Sequence, residues 1–251
     1  MLLCTVRGCR RPLRREARRW VCERGHAFDV ARSGYANLLQ PNDRRSREPG
    51  DSAEAVAARR RLWSAAAMPP LFESGGAFEH VLDVGCGDGY WLASIDAPER
   101  HGIDISVPAI EAAAKRYPDC HWFVANADRF IPYSDASFDL VLSITARMND
   151  AEFRRVVRDD GRLLVAVPAP DDLIELRGGR AMRDRVERTI AMFPSFELIE
   201  RKRVTTKAHL DKQGIADVLA SSYRGMKVVD VEESDVTFSR DVLLFKVTGN
   251  R

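Results

Sequence analysis

Eleven residues constrain the fold of this chain more than any other stretch: His80-Val81-Leu82-Asp83-Val84-Gly85-Cys86-Gly87-Asp88-Gly89-Tyr90. Val81 to Val84 is a short apolar run of the kind that forms a buried parallel strand. It runs into Gly85, Gly87 and Gly89, after which Tyr90-Trp91-Leu92-Ala93 predicts the start of a helix. A strand, a bare turn and a helix let a ligand approach the backbone closely at the helix start. The spacing is G-x-G-x-G, whereas dinucleotide-binding turns use G-x-G-x-x-G. Asp83, just ahead of the first glycine, would repel a pyrophosphate and attract an ammonium.

A second acid follows in Arg100-His101-Gly102-Ile103-Asp104-Ile105-Ser106. Asp104 ends the next expected strand about 20 residues past the first glycine, where a ribose-binding acid belongs. Val107-Pro108-Ala109-Ile110 opens a helix running to Tyr117, with Pro108 in its first turn. A strand over His121–Ala125 leads to Asn126-Ala127-Asp128, and Asp128 is expected to face an adenine amino group. Phe138–Ser143 and Arg162–Pro168 predict two more strands, with a helix over Asp150–Arg158 between them. Phe196–Val204, a helix near Lys212–Ala220 and Val236–Val247 are expected to close the sheet with an antiparallel edge. Strands alternating with helices imply an α/β, doubly wound and mostly parallel sheet.

A ligand with an ammonium, a ribose and an adenine but no phosphate is S-adenosylmethionine. The expected cofactor-binding residues are Asp83, Gly85, Cys86, Gly87, Asp88, Gly89, Asp104, Ile105, Asn126, Ala127 and Asp128. The alternative for Asp83 and Asp104 is helix capping or pairing with arginine, and their placement on successive strand ends favours the ligand. Cys86 reads as a small turn residue rather than a nucleophile.

The five cysteines are unevenly placed, with Cys4, Cys9 and Cys22 in the first 22 residues and His26 close behind. An odd count without a secretory leader argues against a disulfide framework. Cys4-x4-Cys9 and Cys22-x3-His26 are knuckle-sized pairs, so three thiolates and one imidazole would close a structural Zn2+ tetrahedron with no open position. Pro12-Leu13 and Arg19-Trp20-Val21 are expected as the hairpin strands between the knuckles. So small a segment buries too little apolar surface to fold unaided, and metal ligation would supply the difference.

Charge is uneven as well. Residues 1–61 hold fifteen arginines, no lysine and seven acids, a surplus of eight positive charges on a chain whose net charge is +2. A basic head on an acidic body suggests a polyanionic partner, and arginine favours bidentate phosphate contacts. Arg10, Arg11, Arg14, Arg15, Arg44, Arg45 and Arg47 are the expected RNA-binding residues, and Tyr35, Trp63 and Tyr223 are aromatic candidates for stacking on a base. At 45% hydrophobic and 30% charged the composition is that of a globular protein. No apolar run reaches the roughly 18 residues a membrane span needs. Arg7, Arg10 and Arg11 interrupt any leader-like stretch, so a cytoplasmic protein without membrane contact is expected.

Zinc knuckles, then Phe28-Asp29-x-Ala31-x-x-Gly34-Tyr35-x-Asn37-Leu38-Leu39, Arg45-Ser46-Arg47-x-Pro49-Gly50-Asp51-Ser52 and Ala58-Arg59-Arg60, resemble the 23S ribosomal RNA guanine-N1 methyltransferases, some of which confer macrolide resistance. The resemblance continues through the glycine turn to Ala112-Ala113-Ala114-Lys115-Arg116-Tyr117-Pro118 and thins after residue 165. It implies a seven-stranded, Rossmann-like, S-adenosylmethionine-dependent sheet over residues 80–251. A zinc-binding RNA-recognition module over 1–40 and a basic loop with a linker helix over 41–79 would precede it. The implied partner is a hairpin loop of 23S ribosomal RNA, and a homodimer stays open. The first knuckle is C-x4-C where the family usually has C-x-x-C. Ala146-Arg147-Met148 stands where the family commonly has Ala-Pro-Cys, and Ala220-Ser221-Ser222-Tyr223 where it tends to have Met-Thr-Pro and an aromatic residue. These last two departures touch the substrate side, so another RNA or a small molecule is the alternative substrate. No residue is assigned as the proton acceptor.

Overall fold

The computed structural model describes residues 1–43, 46, 48–66, 71, 78–221 and 233–249. Arg44, Arg45, Arg47 and Tyr223 lie outside the described residues.

The N-terminal hairpin is a three-stranded antiparallel sheet of β1 (Leu13–Glu16), β2 (Arg19–Cys22) and β3 (Ala27–Asp29). Leu13 pairs with Cys22 and Trp20 with Phe28. β4 (Ala36–Asn37) and α1 (Ala53–Ala66) then lead to the main sheet. In chain order follow β5 (His80–Val84), α2 (Tyr90–Ala93), β6 (Glu99–Asp104), α3 (Val107–Arg116), β7 (His121–Val124) and β8 (Phe138–Ile144). The remainder is α4 (Asp150–Val156), β9 (Val157–Pro168), α5 (Val186–Ala191), β10 (Phe196–Leu210), α6 (Lys212–Ser221) and β11 (Ser234–Val247).

The strand order is β10-β11-β9-β8-β5-β6-β7-β4. β9, β8, β5, β6, β7 and β4 run parallel to one another, and β11 runs antiparallel between β9 and β10. All seven expected strands are present, with the predicted antiparallel edge. The eighth, β4, belongs to the N-terminal segment and adds itself to the β7 edge through Ala36↔Phe123 and Asn37↔Val124. Boundaries move: the α4 helix stops at Val156, short of Arg158, because Val157 already pairs with Phe138, so β9 begins there and not at Arg162, and β10 runs on from Val204 to Leu210 in its pairing with β11.

Both faces of the parallel strands are covered, which is why β5, β8 and the second half of β9 are largely apolar. Leu82, Val84, Ile103, Phe123 and Phe138 fill one core together with Leu2, Leu13, Phe28 and Leu38 of the N-terminal module. Val81, Leu92, Ile110, Trp122 and Leu140 fill the other, against Leu62 of α1.

Trp122 fixes the shape of the second core. Its indole Nε1 donates to the Tyr117 carbonyl at 2.8 Å, and its ring fills the space that side chains at Gly89 and Gly102 would need. A Cβ at either glycine would stand 2.3 Å from the ring. Gly102→Ala should therefore destabilise the protein by roughly 2–3 kcal/mol through overpacking, measured as a lower urea midpoint with unchanged slope.

Candidate functional site

β5 is flanked by β6 on one side and β8 on the other, so the chain leaves the sheet centre in opposite directions. In open α/β sheets the carboxyl ends of strands at such a switch point border the crevice that binds ligands. The glycine turn follows β5 at this point. Gly85, Gly87 and Gly89 all have left-handed backbones, with φ of 77°, 55° and 80°. A Cβ at Gly85 would stand 2.5 Å from that of Ala146, and one at Gly87 would stand 3.3 Å from Arg59 Nη1. α2 is a single turn, too short to offer the dipole that holds a pyrophosphate.

Asp104 organises the turn. One carboxylate oxygen accepts from the Gly87 N–H at 2.9 Å and the other from the Ser106 N–H at 2.8 Å. Burial raises its pKa, and these two N–H groups pull the other way. A carboxylate has roughly four lone-pair sites, so these two hydrogen bonds leave acceptor capacity on Asp104.

Asp83 is 1% exposed, and among the described residues neither carboxylate oxygen has a hydrogen-bond partner. Burial, helped by the charge of Asp104, pushes it up to about 8. A buried acid without a donor is an unmet demand for positive charge, of the kind an ammonium group would satisfy. Asp88 is also buried, and burial raises it against the charges of Arg59 and Arg60. The Cys86 thiol is buried and pushed well up, which keeps it protonated and suits a turn residue.

The raised Asp83 has a consequence for stability. The folded, ligand-free protein keeps a proton that the unfolded chain, with an ordinary aspartate near 4, has already released. Stability should fall as pH climbs from about 4 to about 8 and level off above that. Asp83→Asn should flatten this slope, which denaturation at the two ends of the window would show.

Ile105 and Ser106 follow Asp104, and the Ser106 hydroxyl accepts from the Ala109 N–H to cap α3. After β7, Asn126 and Ala127 are half-buried and Asp128 is exposed. Asn126 Oδ1 accepts from the Asp128 N–H at 3.0 Å, and Asp128 pairs with Arg147 at 3.4 Å. The eleven expected residues thus gather on the turn and on the two loops after β6 and β7.

The sequence marks Arg44–Asp51 as a polar, basic loop with Pro and Gly, suited to grip a backbone or cover an active site, and its described residues, with Asp43, run as a strap across these loops through partners that the sequence does not name. Asn126 Nδ2 donates to the Asp43 carbonyl at 2.9 Å, and Arg129 pairs with the Asp43 carboxylate at 2.5 Å. Ser106 Oγ donates to the Asp51 carbonyl at 2.7 Å, and a Cβ on Gly50 would stand 2.7 Å from that of Ser106. Arg59 pairs with Asp51 at 2.6 Å beside Gly87. The signal was Pro49-Gly50-Asp51 just ahead of α1, a turn that only a close backbone approach requires.

An aromatic cluster forms where α1 packs on α2 and β11. Trp63 of α1 packs on Tyr90, Trp91 and Phe238 with ring centroids 6.0, 6.1 and 6.5 Å away. The Arg240 guanidinium lies 5.5 Å over Trp63 and 6.0 Å over Trp91, within the field of Asp172, and its Nε and Nη1 are buried without hydrogen-bond partners among the described residues. Tyr35 is half-buried against the same core.

In the N-terminal module Cys4, Cys9, Cys22 and His26 offer ligand atoms that all lie within 4.8 Å of one another. Cys4 Sγ and Cys22 Sγ each lie 3.4 Å from His26 Nδ1, and Cys9 Sγ lies 3.9 Å from Cys22 Sγ. Ligands at zinc distances in a tetrahedron stand about 3.5–3.8 Å apart. The three-thiol, one-imidazole donor set fits Zn2+, and the longer first knuckle is accommodated by Gly8 at φ 74°. Arg10, Arg11, Arg14 and Arg15 are exposed along β1 and the turn before it. Arg11 pairs with Glu23 at 3.0 Å, and Arg10 lies 4.5 Å over Phe130, which joins the module's basic face to the loop after β7.

Residues 3–47 match the family model described as RlmA, N-terminal, a zinc ribbon, and residues 81–165 match the methyltransferase domain model. A Streptomyces fradiae protein named 23S rRNA (guanine(748)-N(1))-methyltransferase is 35% identical over 231 residues, covering 84% of this chain and 81% of its own. A malonyl-[acyl-carrier protein] O-methyltransferase of Xylella fastidiosa is 35% identical over 133 residues, 46% of this chain and 43% of its own. An S-adenosylmethionine-dependent methyltransferase of Aquifex aeolicus shares the fold, with a TM-score of 0.54 at 12% identity over 79% of this chain and all of that one. With a zinc ribbon at its head and an S-adenosylmethionine-dependent methyltransferase sheet behind it, the chain belongs to the 23S rRNA (guanine-N1-)-methyltransferase family.

Proposed function

We propose that this protein methylates N1 of a guanine in a hairpin loop of 23S ribosomal RNA, in the cytoplasm. The observation that carries this reading is the docking of the basic zinc module beside the crevice, through β4 on β7 and Arg10 on Phe130. RNA phosphates held by that module would present a loop base to the crevice mouth.

S-adenosylmethionine, when bound, supplies an electrophilic methyl group on sulfur. Asp83 would pair with its ammonium, Asp104 would accept from its ribose hydroxyls, and Asn126, Ala127 and Asp128 would border its adenine. The chain's task is then to align a flipped or looped-out base with that methyl. Guanine N1 carries a proton that would pass to solvent water as N1 takes the methyl group, and as it leaves, negative charge gathers on O6. Arg240, with two buried donors that have no hydrogen-bond partner among the described residues, is the group we assign to that charge. Arg240→Met should lower kcat about 10- to 100-fold while S-adenosylhomocysteine affinity changes less than about twofold. An equal loss of both would place Arg240 on the cofactor instead.

Residues 1–40 act in this reading as the RNA-recognition module, 41–79 as the strap and 80–251 as the catalytic domain. Arg10, Arg11, Arg14 and Arg15, with Arg44, Arg45 and Arg47 outside the described residues, would hold phosphates and make binding salt-sensitive. Ala146 lies against Gly85, so its neighbours Arg147 and Met148 replace the family's usual residues where the base enters, and the guanine modified is not carried over from relatives. The homodimer is a proposal for sedimentation to check. Mass mapping of 23S ribosomal RNA from cells with and without the protein tests the whole: one loop guanine should gain a methyl group. An unchanged map would defeat the RNA assignment.

A further inference from the structure

The opposite end of the sheet from the crevice carries a second convergence of ligating side chains. Glu99 opens β6, and His101 lies two residues on, hence on the same face of the strand. His121 opens β7 directly beside His101 in the parallel register. Glu99 Oε2 lies 3.3 Å from His121 Nε2 and 3.5 Å from His101 Nε2. One ligand atom from each residue lies within 4.8 Å of the other two. Nitrogen and oxygen ligands held tetrahedrally by Zn2+ stand about 3.4 Å apart, so these spacings already suit one ion.

The surroundings orient the set as metal sites require. The two imidazoles are stacked, with centroids 4.7 Å apart and planes 23° from parallel, so their edges face the same way. The second nitrogen of His101, Nδ1, meets the Tyr133 hydroxyl at 3.1 Å. Tyr133 is 2% exposed, packed edge-on against Phe138 at 4.8 Å and bridged through its backbone to Leu2. A hydrogen bond to the far nitrogen is the usual outer partner of a metal-bound imidazole, because it fixes the ring and leaves Nε2 for the metal. His121 and Glu99 are about half exposed, which gives an ion an open approach.

We infer that Glu99, His101 and His121 form a second metal site, taking a borderline late first-row dication such as Zn2+ or Co2+ with a remaining position open to water. Two imidazoles and one carboxylate select such ions over Ca2+ and Mg2+, which take oxygen sets. The site shares no residue with the zinc ribbon and has no thiolate. An ion there ties β6 to β7 beside the point where the N-terminal module rests on Tyr133.

The test uses the full chain with its ribbon zinc in place, titrated with Co2+ and followed by visible absorption and by metal analysis. One equivalent of Co2+ should bind in addition to the ribbon zinc. It should give d–d bands without a near-ultraviolet thiolate-to-cobalt band. His121→Ala should abolish that signal, and Tyr133→Phe should weaken Co2+ affinity at least tenfold. Unchanged far-ultraviolet circular dichroism and unchanged methyl transfer in His121→Ala would show that the fold is intact. No extra equivalent in the wild-type protein would overturn the inference. So would a cobalt signal that persists in His121→Ala, or one that carries the thiolate band of exchange into the ribbon.

Discussion

Asp83→Ala should weaken cofactor binding by two orders of magnitude or more while making the ligand-free protein more stable. The two effects have one origin. Both carboxylate oxygens of Asp83 are buried without a donor among the described residues, so the charged form is costly until a cation arrives. Truncating one side of a buried charge pair costs about 2–5 kcal/mol, and each 1.4 kcal/mol is tenfold in affinity. S-adenosylhomocysteine should therefore bind roughly 100-fold more weakly or worse, with methyl transfer falling in step. Thermal unfolding of the same variant above pH 7 should occur at a higher temperature than in the wild type. An acid that merely supported the turn would give the opposite pair, a less stable protein that still binds the compound.

Loss of zinc should be the second large effect, and it should separate the two halves of the chemistry. Structural zinc contributes an apparent 10–16 kcal/mol in small modules of this kind. Here the three-stranded hairpin sheet has little else inside it, since Cys4, Cys9 and Cys22 are themselves among its buried residues. Its other supports are the two-residue β4 pairing and Leu2, Leu13, Phe28 and Leu38 against the sheet. Cys22→Ser should open the segment around residues 10–24 to proteolysis and reduce RNA methylation at least 100-fold. Affinity for S-adenosylhomocysteine should fall less than about tenfold, because the glycine turn, Asp83 and Asp104 are set by β5, β6 and the Trp122 core. Retained RNA methylation in the zinc-free variant would remove the module from substrate recognition.

Sequence legibility followed locality. The glycine turn and its two acids were readable because each is a short-range pattern: an apolar run, three glycines at odd spacing, and an acid at each strand end. The zinc ligands were readable for the same reason, the chemistry of Cys and His at knuckle spacing. The long-range contacts were not. Nothing local says that Trp122 fills the space at both Gly89 and Gly102, although a glycine inside a strand is a hint of close approach. Nor does the sequence state that Asp43, Asp51 and Arg59 lie along the loops after β6 and β7 and the turn, or that residues 36–37 become an eighth strand. Those depend on how distant segments meet. The pairing of Glu99, His101 and His121 is likewise hidden, because it depends on the register of β6 against β7.

The central claim is that Asp83 meets the ammonium of an adenosyl sulfur compound. Calorimetric titration with S-adenosylhomocysteine at pH 7, repeated in two buffers of different ionisation enthalpy, tests it most directly. An aspartate raised to about 8 is mostly protonated at that pH and must give up its proton to pair with an ammonium. One molecule should bind per chain with release of close to one proton, and NAD should not bind. No binding of S-adenosylhomocysteine, or binding with no proton exchanged, would contradict the assignment.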